Sequence, residues 1–456
     1  MAERHRTNAQ SSGLETKGGP EAHLEAITCI LMAGRVAKMA ILVKKGQLMK
    51  STLILLTLGA AGLCWGQAPA DCKPNPLNIP EAKYPCIFPD NRVMYRVIAP
   101  NAQSVRVGNL NLTKGPDNIW SGTTAQPAVE GFHYYGINID GATVADPSTR
   151  TYFGSGWWNS GIEIPAPDQE FYQPRTDIPR GRVSEQWYFS TVTGKWRRCF
   201  VYTPPDYDGG KKKYPVFYLL HGWGEDETGW FNQGRVDYIM DNLIADKKAK
   251  PMIIVMDNLN AVKPGQSATT YASRGLVPDP SDHPAPPPAP RAAAGAPGAA
   301  GAAGAARGGQ PARAGGGMLG NSAFTEMMFT DLIPMIEKTY RALPGAANRA
   351  MAGLSMGGMQ TRTTTMANLD KFSYIGLFSG GNIPLSNIKD PAAFKKHIKA
   401  VFFGNGQMEN SGPSKAAAEE LKKAGINAFF YESPRTAHEF LTWRRCLHEF
   451  APLLFK

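Results

Sequence analysis

The chain has 456 residues, 43% hydrophobic and 10% aromatic, which is enough apolar material for two or three packed domains and excludes a wholly disordered polypeptide. The formal net charge is +11, but the first 66 residues hold eight Lys or Arg against four Asp or Glu, leaving +7 for the remainder. No Lys/Arg-dense run or nucleic-acid motif accompanies that charge, so it reads as solubility and weak attraction for anionic surfaces, with no nucleic-acid partner.

Residues 49–70 have the form of a secretory leader: Lys50 as a minimal positive start, an apolar core from Leu53 to Leu63, then small residues from Gly66 to Ala70. The core is too short to span a bilayer comfortably, so no stable membrane insertion is expected. Leu63 directly before Cys64 argues for simple cleavage over lipid attachment. Residues 1–48 then read as an upstream extension outside the fold, and the mature protein as secreted or periplasmic. Four cysteines follow the leader, Cys72, Cys86, Cys199 and Cys446. Cys72 with Cys86 closes a short loop, while Cys199 and Cys446 are either a second pair or buried thiols. With no C-x-x-C or His/Cys cluster, no metal is expected.

From about Asn91 to Pro165 short alternating runs are broken by turns: Val93 to Val97, Ser104 to Val107, Phe132 to Ile137, with Asp140-Gly141 and Asp146-Pro147 as turn signals. These predict a small antiparallel β-sandwich over residues 71–165. The order Ala99-Pro100-Asn101-Ala102, Trp120, Tyr134-Tyr135, Asp140-Gly141 and Asp146-Pro147 resembles the early-set immunoglobulin-like modules related to glycogen-binding domains. In glycan binders of that type exposed aromatics stack on sugars; Trp120, Trp157 and Trp158 are the candidates, with burial the commoner fate of a Trp.

A Pro-rich linker at 166–182 leads into a second domain, 183–456. Strand patterns at Val183 to Ser190 and Lys195 to Thr203 come first, then the apolar runs Tyr214 to Leu220 and Pro251 to Asp257. Continuous apolar runs separated by helical segments such as Val236 to Leu243 are the pattern of strands buried on both faces. A helix at Thr325 to Tyr340, strands at Tyr374 to Ser379, Ala400 to Gly404 and Asn427 to Glu432, a helix at Ser414 to Lys423 and a C-terminal helix complete an α/β class fold, a doubly wound sheet of α/β-hydrolase type. Residues 278–317, nearly all Pro, Ala, Gly and Arg, interrupt the pattern and predict a disordered insert on the rim where the strands end.

Gly353-Leu354-Ser355-Met356-Gly357 has the form G-x-S-x-G between an apolar run and a helix. Such a strand-turn-helix elbow raises a serine hydroxyl on a strained turn, the glycines removing Cβ atoms that would collide. Acyl transfer by Ser355 further needs a base, a carboxylate to orient it and donors for the oxyanion. Of eight histidines, His438 follows the strand ending at Glu432 and directly precedes a helix, where its ring can overhang the elbow; His448 is the reserve. Glu409 is the carboxylate in the loop after the strand Ala400 to Gly404, giving the order Ser, acid, His. The oxyanion donors are expected from Met356 N–H and from Gly222 and Trp223 in the turn that follows His221.

His221 to Glu225 with Trp230, Asp331 to Glu337, Arg349 to Gly358, Tyr431-Glu432-Ser433 with His438, Trp443-Arg444 and Phe450 to Leu454 together resemble the esterase-D-like hydrolases, and among them carbohydrate esterase family 1. The resemblance implies hydrolysis of esters on plant cell-wall polysaccharide or oligosaccharide through an acyl-Ser355 intermediate, feruloyl esterase first and acetylxylan esterase next. It also admits a siderophore esterase. A non-catalytic glycan-binding protein of the same fold is the alternative from a different class. Trp230 is a candidate substrate-binding residue.

Overall fold

A computed structural model describes residues 69–266 and 321–456. The extension at 1–48, all but the last two residues of the leader and the insert at 278–317 lie outside the described residues. The described residues belong to one compact unit. Among the described residues no helix is long and apolar enough to cross a membrane.

An eight-stranded sheet organises the C-terminal region, and its strands are numbered here β1 (Arg182–Ser190), β2 (Lys195–Thr203), β3 (Val216–Leu220), β4 (Ile253–Asp257), β5 (Arg349–Leu354), β6 (Tyr374–Phe378), β7 (Ala400–Gly406) and β8 (Ala428–Ser433). Their spatial order is β1-β2-β4-β3-β5-β6-β7-β8. The first two strands run antiparallel to their neighbours, Cys199 lying opposite Asp257, and the other pairings are parallel. β1 and β2 carry polar and half-exposed positions, as expected of strands not buried on both faces, whereas every residue of β3 is buried.

Successive side chains of β3 serve opposite layers. Phe217 and Leu219 join a core with helix α1 (Val236–Ala245) and with the C-terminal helix α4 (Phe440–Phe450). Val216, Tyr218 and Leu220 join Phe324, Met327, Leu332 and Ile336 on the other face. The helix predicted at 325–340 is three pieces, Ser322–Met327, a π turn at Met328–Leu332, and Ile333–Thr339. Pro334, which lacks an N–H and cannot sit over a preceding carbonyl, explains why a regular α-helix does not continue there. Helices α2 (Met356–Ala367) and α3 (Gly412–Lys423) follow β5 and β7.

Residues 69–164 form three small antiparallel sheets, whose longest strands are Val93–Ile98, Ile119–Thr123, Gly131–Tyr135 and Trp157–Ile164. One core of Val93, Tyr95, Val97, Val105, Trp120, Tyr135, Ile137 and Ile162 is shared among them. Cys72 and Cys86 are joined by a disulfide, and Cys199 and Cys446 are separate buried thiols. Burial holds both thiols well above their usual range. Of the three sugar-stacking candidates, Trp120 is a core residue whose Nε1 donates to Ala99 O at 2.9 Å, while Trp157 and Trp158 are exposed.

The β-rich region is fastened to the α/β region by buried polar groups. Arg444 in α4, fully buried, grips the Glu163 carboxylate with two nitrogens at 2.6 and 3.0 Å and also donates to Gln233 O. Arg445 pairs with Asp168 at 2.7 Å, and the rings of Phe132 and Tyr134 meet Phe440 edge to face.

Candidate active site

β5 ends at Leu354, and Ser355 occupies the turn before α2 with φ 51° and ψ −114°, a left-handed conformation that a side chain rarely adopts. The neighbouring glycines permit it. A Cβ on Gly353 would lie 2.4 Å from the Gly357 carbonyl carbon, and one on Gly357 would lie 2.5 Å from His221 O. The turn therefore sits against both its own helix and the end of β3.

His438 lies two residues before α4, and its Nε2 is 2.8 Å from Ser355 Oγ. Its Nδ1 is 2.7 Å from Glu409 Oε1. An ionised carboxylate only accepts, so Nδ1 carries the proton, and Nε2 offers its lone pair to the serine hydroxyl. Glu409, in the loop after β7, is held in turn: Oε2 accepts from Ser379 Oγ and from Gly406 N, each at 2.7 Å. Burial works against its charge, but the bonds from His438, Ser379 and Gly406 outweigh burial and keep its carboxyl below the usual range. Trp443 Nε1 donates to Ser379 Oγ at 3.1 Å, and its ring stands edge-on to His438 at 5.1 Å. The structure thus brings together the three residues that the order of motifs had singled out.

His448 is remote from this relay, with Nδ1 3.1 Å from Glu449 and its ring against Phe171. His221 is buried, its Nε2 accepts from Leu259 N at 2.9 Å and its Nδ1 donates to Gly222 O at 2.8 Å. Burial pushes its pKa down, and it braces the turn as a neutral ring.

Two expectations need correction. Gly222 N–H donates to Glu225 Oε2 at 3.0 Å, so this amide is committed to a buried side chain and is not aimed at an oxyanion. Of the residues expected to supply oxyanion donors, Trp223 lines the cavity and Met356 opens α2. Trp230 is 1% exposed, packs on Phe378 and donates its indole N–H to Leu220 O at 2.8 Å, so it supports β3 from within the core and does not reach the cavity.

The cavity beside Ser355 holds about 340 Å³. Its walls come from both regions. Trp223, Leu354, Phe440 and Trp443 belong to the α/β region, and Phe132, His133, Tyr134 and Ser155 to the β-rich region. The hairpin tip at Ser155 is fixed by Gly156 N donating to Gly224 O at 2.8 Å. Nothing in the local pattern of residues 131–156 signals this contribution, because it arises from docking between segments far apart in sequence. Among the described residues no group of His, Cys, Asp and Glu could hold a metal ion.

Comparison with known proteins places this geometry in context. The chain is 40% identical over 397 residues to an endo-1,4-beta-xylanase/feruloyl esterase of Xylanibacter ruminicola, an alignment covering 85% of this chain and 48% of the relative. The chain spans about half the length of that relative. The enterobactin esterase of Shigella flexneri matches with a TM-score of 0.51 at 15% identity, covering 79% of this chain and 92% of that one, a likeness of fold. A CE1 ferulic acid esterase from Anaeromyces mucronatus matches with a TM-score of 0.46 at 21% identity, covering 64% of this chain and 96% of that one. The profile of the Esterase family, described as "Putative esterase", matches residues 190–276 and 305–448, just over half of the chain, and the chain belongs to that esterase family.

Proposed function

We propose that the protein is a secreted serine carboxylesterase that removes feruloyl groups from plant cell-wall polysaccharide. The observation that carries the reading is the continuous relay from Ser355 Oγ to His438 Nε2 at 2.8 Å and from His438 Nδ1 to Glu409 at 2.7 Å. In this scheme His438 takes the Ser355 proton as Oγ attacks the ester carbonyl, and Glu409 stabilises the imidazolium that forms. In the same scheme Met356, which opens α2, and Trp223, which lines the cavity, supply the backbone donors for the developing oxyanion. The imidazolium then protonates the departing sugar hydroxyl, leaving acyl-Ser355. Water, deprotonated by the same ring, releases the acid. The relay needs no metal or organic cofactor.

The choice of substrate is supported by the name of the Xylanibacter ruminicola relative and by the aromatic walls of the cavity, which suit a planar acyl group. Acetylxylan is the second substrate in this reading. Export of the mature chain, division at 71–165, 166–182 and 183–456, and an early-set immunoglobulin-like identity for the β-rich region belong to the same proposal. Hydrolysis of methyl ferulate, acetylated xylan and a catecholate triester by the parent and by Ser355→Ala tests it. Methyl ferulate is expected to be cleaved by the parent alone. Cleavage of the catecholate only would replace the cell-wall reading with a siderophore one, and equal rates for parent and variant would remove the serine mechanism.

A further inference from the structure

Glu225 takes no part in the relay, yet its carboxyl lines the same cavity with only 5% of the residue exposed. Oε2 accepts Gly222 N–H at 3.0 Å, and Oε1 faces the Tyr134 hydroxyl at 3.4 Å. That hydroxyl receives a hydrogen bond from Gln233 Nε2 at 2.7 Å and lies 3.4 Å from Phe153 O. A Cβ built on Gly222 would lie 3.5 Å from both Glu225 Oε2 and Ser355 Cβ, so that carboxyl oxygen and the Cβ carrying the serine hydroxyl are no further apart than twice that distance.

A carboxylate so placed would oppose the reaction. Attack by Ser355 puts negative charge on the ester oxygen, and a second buried negative charge on the wall of the same cavity repels it through a medium of low dielectric. No Lys or Arg lines the cavity among the described residues; the ionisable side chains there besides Glu225 are His133, Tyr134, His438 and Glu439. Asp226, next in the chain, adds a further negative group. Burial pushes Glu225 up to about 7, with the Gly222 amide and Tyr134 pulling it down and Asp226 adding to the rise. The surroundings accommodate the proton: Oε1–H can donate to the Tyr134 oxygen, the tyrosine hydroxyl can turn to Phe153 O, and Oε2 still accepts from Gly222.

We propose that Glu225 is a positioning residue that works as the neutral acid, holding the turn at Gly222 and Trp223 in place without setting a charge against the oxyanion. The inference rests on the serine-esterase reading. Loss of its proton slows attack, by on the order of tenfold to a hundredfold. Turnover therefore falls on the alkaline side as Glu225 ionises.

The test is kcat and KM of the full chain on a neutral short aryl ester across mildly acidic to alkaline pH. In the parent, kcat is expected to fall on the alkaline side with an inflection near the Glu225 value of about 7. Glu225→Gln, neutral at every pH and able to make both hydrogen bonds, is expected to lose that inflection and to exceed the parent on the alkaline side by roughly tenfold. Glu225→Leu, which leaves the Gly222 amide without its acceptor, is expected to lower kcat throughout while KM moves little. Thermal melts establish that each variant is folded. A Glu225→Gln profile that superimposes on the parent's, or one that collapses with Glu225→Leu at every pH, overturns the inference while hydrolysis still depends on Ser355. Parent activity that survives Ser355→Ala would instead bring down the esterase reading and this inference with it.

Discussion

Glu409→Gln tests the relay at the group that orients its base. All three groups that meet the Glu409 carboxyl are donors: His438 Nδ1–H on Oε1, and Ser379 Oγ and Gly406 N on Oε2, each at 2.7 Å. An amide has only one oxygen. If that oxygen keeps Ser379 and Gly406, the amide nitrogen faces His438 and drives its proton to Nε2, where the ring can no longer accept from Ser355. Misassigning the tautomer in relays of this kind costs about three to four orders of magnitude in kcat, roughly 4 to 5 kcal/mol on the barrier. KM is expected to stay within about threefold, because Glu409 is absent from the cavity wall. Steady-state kinetics on a short aryl ester is the assay, with Ser379→Ala as a milder control that removes one of the two bonds to Oε2. A Glu409→Gln enzyme within about tenfold of the parent in kcat would refute the argument that this carboxylate sets the tautomer.

Five further outcomes are expected. Gly222→Ala places a Cβ 2.5 Å from Leu354 Cδ1, beside the nucleophile, and should lower kcat by on the order of tenfold or more without unfolding the chain, as kinetics and a thermal melt together will show. Arg444→Met strands the buried Glu163 carboxylate and should cost about 3 to 5 kcal/mol in urea denaturation, much of it recovered in Arg444→Met with Glu163→Leu. Trp230→Ala should destabilise by about 3 to 5 kcal/mol as a core truncation. Trp223→Ala, at a half-open site on the cavity wall, should shift KM with little loss of stability. Because the folded state holds the Glu225 proton more tightly than the unfolded chain does, its contribution to stability is fullest below the ordinary value of 4.5 and is lost as pH rises through about 7. Melts of parent and Glu225→Gln should accordingly diverge across that window.

Much of the α/β region was legible because burial on both faces writes itself as unbroken apolar runs: those ending at Leu220 and Asp257 end where β3 and β4 do. The relay was legible for a related reason, since an elbow needs Gly353 and Gly357, and loops at strand ends offer few carboxylates and histidines. What could not be read was whatever depends on side chains meeting across the fold. Trp230 follows the His-Gly turn as a substrate contact might, but the turn of chain at Gly229–Asn232 directs its ring into the core under β3. Gly222 looked like a free donor because nothing local reveals that Glu225, three residues on, folds back to accept its N–H. The antiparallel running of β1 and β2 also escaped, since alternation reports burial and says nothing of direction.

The contact between Gly156 N and Gly224 O changes what counts as the enzyme. A Cβ on Gly224 would lie 2.8 Å from Ser155 Cα, so the two turns touch backbone to backbone and leave no room for a side chain there. Cutting the chain at the start of β1 to obtain a smaller catalyst would keep Ser355, His438 and Glu409 but remove the wall formed by Phe132, His133, Tyr134 and Ser155. In the proposed reading, the relay and part of the cavity wall against which a substrate would lie are thus encoded in different stretches of one chain. Exchanging the hairpin around Ser155 between related esterases offers a route to altering acyl preference while leaving the nucleophile and its partners untouched.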